Sequence, residues 1–75
     1  MPHSTIIVNH NSGSPASGKK VVLSFDFGGV TDSVFTNKYG EATISHSLID
    51  ECNVIVAGAT RISNWHAPGR TSVTI

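Results

Sequence analysis

Four histidines, one cysteine, one tryptophan and one tyrosine are the residues whose chemistry could reach beyond packing. A metal centre needs three or four convergent nitrogen, oxygen or sulfur ligands, and His3, His10, His46, His66 and Cys52 are the available donors. No two of these histidines stand at a short ligand spacing such as H-x-H or H-x-x-x-H. His46 also falls on the apolar side of an alternating segment, where a hydrogen-bonded core or rim histidine is the simpler reading. The expectation is no metal and no cofactor. Cys52 with a histidine and an acid would make a nucleophilic site. It opens an apolar run, however, and a buried cysteine behaves as a small hydrophobe. No G-x-S-x-G is present. No catalytic residue, and no enzyme, is expected.

Gly13-Ser14-Pro15-Ala16-Ser17-Gly18-Lys19 matches the G-x-x-x-x-G-K of a phosphate-binding loop. The match fails on context. Lys20 stands where Ser or Thr must hold Mg²⁺, and Val21-Val22-Leu23 continues as strand where a helix must begin. A Lys–Asn isopeptide link has formal candidates in Lys19 or Lys20, Asn53 and Asp26, though a solvated pair on one strand face explains Lys20 and Asp26 more simply. Trp65, Tyr39 and His66 remain as ligand-binding candidates. Exposed aromatics at the end of a sandwich can stack on the C–H faces of a sugar ring. The competing reading has Trp65 closing the open end of a small core.

The elements that must position these residues are strands. Thr5–Asn9 is a short β-branched run. His10–Gly18 is the clearest loop, rich in Gly, Ser and Pro. Lys19–Phe27 alternates, with Val21, Leu23, Phe25 and Phe27 on one side. Gly28-Gly29 makes a turn, and the ragged Val30–Thr36 segment reads as an edge or bulged strand. A tight turn at Asn37–Gly40 leads into Glu41–Leu48, where Ala42, Ile44, His46 and Leu48 share a face. Cys52–Ala59 is apolar on both faces, the mark of a central strand. Arg61–Trp65 either continues it past Gly58 or forms a strand of its own. His66–Gly69 is a turn and Thr71–Ile75 a last strand. No window has helical periodicity. The fold class expected is all-β, a small antiparallel Greek-key β-sandwich of six or seven strands. Its core would comprise Ile6, Val8, Val21, Leu23, Phe25, Val34, Ala42, Ile44, Val54, Val56 and Val73.

Residues 1–75 read as a single β-sandwich domain, near the lower limit for a self-sufficient core. Five basic residues balance five acidic ones, so no positive footprint exists for a phosphate backbone and no nucleic acid is expected as partner. One cysteine allows no internal disulfide. The first ten residues lack the pattern of a signal peptide, and no run approaches a membrane span. A soluble domain is expected, cytoplasmic if free-standing, extracellular or of the cell envelope if it is a module of a longer chain.

Ile7–Phe25, reading IVNHNSGSPASGKKVVLSF, resembles the opening of the transthyretin-like (prealbumin-like) sandwich, where a strand leads through a T/S-G-x-P-A loop into a strand of Val-x-Leu type. Thr36–Ile44 is similar to the T-(D/N)-x-x-G-x-(A/F)-x-I hairpin of carboxypeptidase-regulatory-like and bacterial immunoglobulin-like domains, and Asn53–Gly58 to the strand that follows it. The resemblance covers about two-thirds of the chain and implies prealbumin-like topology and a structural or accessory role. Two enzymes of this fold do not carry over. The hydroxyisourate hydrolases end in Tyr-Arg-Gly-Ser, against Ser72-Val73-Thr74-Ile75 here, and the intradiol dioxygenases need two iron-binding tyrosines, against Tyr39 alone. The leading expectation is a non-catalytic module that binds a protein partner or self-associates through an edge strand, with a carbohydrate-binding module as the alternative.

Overall fold

Residues 3–25, 29–46, 51–67 and 69–75 are described by the computed structural model, and among them every regular element is a strand. The eight strands are β1 (His3–Asn9), β2 (Lys20–Phe25), β3 (Gly29–Val30), β4 (Val34–Phe35), β5 (Glu41–Ser45), β6 (Glu51–Val56), β7 (Ala59–His66) and β8 (Arg70–Thr74). They form two sheets. Sheet I has the order β5-β1-β8; sheet II has the order β3-β2-β6-β7, with β4 beside β3 on the same side of β2.

Alternation along the strands decides which side chains meet between the sheets. Every expected core residue is buried except Val34, which is half-buried against the rest. Ala16, Cys52 and Ala67 join them. Phe27 and Leu48, expected on the same faces, lie outside the described residues, as does Asp26 of the isopeptide set.

Two expectations need correction. The two-sheet fold is not wholly antiparallel, because β1 and β8 pair in parallel, Thr5 opposite Arg70 and Val8 opposite Val73. Nearly the whole chain separates these two strands, so no tight turn forces them antiparallel. The described residues form eight strands rather than six or seven. Val30–Thr36 supplies part of the excess: β3 and β4 each keep only two residues of pairing with β2, and Thr31–Ser33 falls between them. Arg61–Trp65 belongs to a separate strand that already starts at Ala59, because Ala57 (φ 54°) and Gly58 (φ 82°) turn the chain back within two residues.

β7 carries an irregularity that alternation could not reveal. Val56 pairs with Ala59, Val54 with Ile62 and Cys52 with Trp65, so the register shifts twice and β7 gains one residue each time. Asn64 takes φ 58° in the second bulge, and its N–H donates to Asn53 Oδ1 at 3.2 Å.

The loop of residues 10–19 is held by bonds to Thr36, to Val8 and, through the Asn11 N–H, to the Ile75 carbonyl at 3.1 Å. Thr36 Oγ1 donates to the Ala16 carbonyl at 2.6 Å and accepts the Lys19 N–H at 2.9 Å. At Gly40 three segments converge. The Val8 N–H donates to the Gly40 carbonyl at 2.7 Å, and the Ala16 N–H donates to the Val8 carbonyl at 2.9 Å. A β-carbon on residue 40 would strike that Val8 oxygen and come within 3.2 Å of the Ala16 nitrogen, and φ there is +76°.

Gly40→Ala is therefore expected to cost at least about 2–4 kcal/mol, the left-handed penalty plus displacement of two backbones. Ala57→Asn should instead stabilise by roughly 0.5–1 kcal/mol, since Asn-Gly suits a two-residue turn with both φ positive. Urea denaturation of both variants checks the pair of signs.

Candidate functional site

One end of the sandwich gathers most of the residues with chemical potential. β1 begins there at His3, β5 ends at Ser45, and the pairs Phe25–Cys52, Cys52–Trp65 and Glu51–His66 close sheet II. Ser4 faces the core because it alternates in phase with Ile6 and Val8, and it is fully buried. Its hydroxyl shares a 2.6 Å hydrogen bond with His46 Nε2. The imidazole is only 5% exposed and lies tilted against Phe25, with ring centroids 5.4 Å apart.

A serine hydrogen-bonded to a histidine is the start of a nucleophilic device. Here both partners are packed inside, and Cys52, the other nucleophile, is 1% exposed. The Ser4–His46 bond instead satisfies two polar groups that a core must otherwise leave desolvated. The expected core histidine is found; its serine partner carries no signal in the sequence beyond sitting two residues before Ile6. Among the described residues, no three His, Cys, Asp or Glu side chains converge to hold a metal ion.

Trp65 is half-buried and packs against the core, its six-membered ring 3.4 Å from where a β-carbon on Gly69 would stand. His66, next along β7, is exposed. Tyr39 belongs to the opposite end, in the turn before β5, where the Gly40 carbonyl meets Val8. Asn37 Oδ1 builds that turn by accepting the Tyr39 and Glu41 N–H groups at 2.9 and 3.1 Å. Tyr39 is 60% exposed, with the Lys38 ammonium 5.1 Å above its ring. The structure keeps Trp65 and His66 together and separates them from Tyr39. The phosphate-loop match also lacks its helix, because Gly18 and Lys19 run directly into β2.

What alternation and motif reading missed is the outward side of sheet II. Val30 pairs with Ser24 and Phe35 with Lys20, which directs both apolar side chains away from the core. They are 67% and 62% exposed. Val22 and Ile55, cross-strand partners on the same outward side, are half-buried. The signal was present in the doubly apolar runs VVL and VIV, whose second face also needs a neighbour.

Ser4→Ala should lower stability by about 1–3 kcal/mol, since it removes a hydrogen bond between two buried side chains. A shift in the urea midpoint at unchanged slope would show it; no shift would mean that the Ser4–His46 bond contributes nothing. Comparison with protein-family models and with curated proteins finds no match for this sequence, so its function has to be argued from the residues themselves.

Proposed function

We propose that this domain is a non-catalytic accessory module that works by binding protein, through the border of sheet II that carries Val30 and Phe35. One observation carries the reading: two large apolar side chains stand 67% and 62% exposed at one border, on a chain with few exposed large hydrophobics among its described residues. Such clustering on so small a domain marks a contact surface. Both side chains sit on the two-residue strands β3 and β4, where little backbone pairing is available to a partner. β7 is longer, but its two bulges interrupt the ladder an added strand would need. Side-chain contact, with edge pairing secondary, is the mode these features favour.

The fold reading that accompanies this proposal is a Greek-key sandwich of the transthyretin-like type. Its support is the way the chain crosses between layers, β1 in sheet I, β2–β4 in sheet II, β5 in sheet I, β6 and β7 in sheet II, β8 in sheet I. The Pro15 bridge to Asn9 adds to it by folding the S-G-x-P-A loop back on β1. A carbohydrate module would need its aromatic faces in one groove, and Trp65 and Tyr39 stand at opposite ends of the sheets.

A photo-crosslinking phenylalanine analogue placed at position 35 tests the reading. Crosslinks are expected from this position, either in the purified chain or in an extract of its source, and far fewer from the same probe at exposed Ser63. Equal labelling from both positions, or none from 35 under either condition, would refute it.

A further inference from the structure

We infer that the occupant of this border is a second copy of the chain, packed face to face on the outward side of sheet II. This rests on the reading above and names its partner. The argument starts from register. Along β2, Lys20, Val22 and Ser24 point outward in successive rows. Phe35 extends the Lys20 row, Ile55 extends the Val22 row, and Val30 extends the Ser24 row. The Val22–Ile55 row thus lies midway between Phe35 and Val30, two residues from each.

That arrangement is self-complementary under one operation. A two-fold axis lying between the faces, across the strands and over the Val22–Ile55 row, sets Val22 on Val22 and Ile55 on Ile55 of the second copy. It reverses the rows, so Phe35 of each copy meets Val30 of the other. Lys20 then faces the Ser24 hydroxyl and not a second lysine. Phe35, Val30, Val22 and Ile55 each gain an apolar partner, and Lys20 meets no second lysine. The net charge of zero removes long-range repulsion between copies. An isologous contact of this kind closes on itself and cannot propagate into a fibre.

Area sets the strength. Four strands about 4.8 Å apart, rising about 3.3 Å per residue, give a face of about 20 by 20 Å. Two such faces bury on the order of 1,000 Å², the lower limit of a specific interface. Aligned packing at about 30° accommodates the twist of each sheet. The dimer is therefore a weak, concentration-dependent one.

The row reversal gives a test that hydrophobic stickiness in general would not pass. Phe35→Lys and Val30→Glu each place a charge against an apolar group in their own homodimers. Mixed together, the two variants set the introduced ammonium of one chain on the introduced carboxylate of the other, while the second contact of the pair remains Val30 on Phe35. Sedimentation equilibrium from about 10 µM to 1 mM should show wild type dimerising. Each variant alone should associate at least about tenfold more weakly, and the equimolar mixture should recover a heterodimer. Both positions are exposed, so the variants should keep the wild-type circular dichroism and urea midpoint. Wild type that stays monomeric throughout, or variants that fail to recover on mixing, would overturn the inference. If wild type is monomeric while position 35 crosslinks another protein in extract, only the choice of partner falls. If neither occurs, the interaction reading falls with it.

Discussion

The backbone of Val8 and its neighbours carry more of this architecture than any side chain does. Val8 donates to Gly40 and accepts from Ala16, so the first strand, the long loop and the hairpin before β5 meet at a single residue. That approach is possible because residue 40 has no β-carbon; a methyl group there would occupy the space of the Val8 oxygen. Thr36 repeats the device a short distance away, holding Ala16 and Lys19 with one hydroxyl. A 75-residue chain with a single cysteine has few means of fixing long loops. Backbone-to-backbone contact at a glycine and a two-way hydroxyl bond serve where small secreted domains often use disulfides.

Once the loop is fixed, the two sheets are free to differ in how they end. In sheet II the strand β7 lies at the border beyond β6, and its two bulges do two jobs. The second of them brings Ile62 and Trp65, three residues apart, to the same inward side, where strict alternation would have sent them to opposite sides. Both bulges also break the regular ladder along the border strand. Trp65 is consequently packed against the core. The opposite border of sheet II is short and broken, and it holds the exposed Val30 and Phe35.

Polar groups inside the core are few and paired. Among the described residues, Ser4, Thr36 and His46 are the buried polar ones, and each has a hydrogen bond at 2.6 Å. Ser4 and His46 satisfy one another, and Cys52 is packed among the apolar side chains of the core. The large exposed apolar side chains Val30 and Phe35 lie on the outward side of sheet II.

How much of this was legible beforehand depends on the range of the physics involved. Strand identity and the inward face of each strand follow from period-two alternation, which is local, and Ile6, Val8, Val21, Leu23, Ala42, Ile44, Val54 and Val56 were all readable that way. The Asn37–Gly40 turn was readable too, because the Asn37 side-chain carbonyl oxygen bonds to N–H groups only two and four residues on. The parallel pairing of β1 with β8, the two bulges of β7, the Ser4–His46 bond and the separation of Tyr39 from Trp65 all join residues distant along the chain or depend on a slipped register. The amino-acid sequence by itself determined that this protein is a two-faced β structure with a dry core and no charge bias. Only the tertiary structure decided which apolar residues were left outside. Val22 and Ile55 alternate as well as any core pair, and their placement depends on which face of a central strand the second sheet happened to cover.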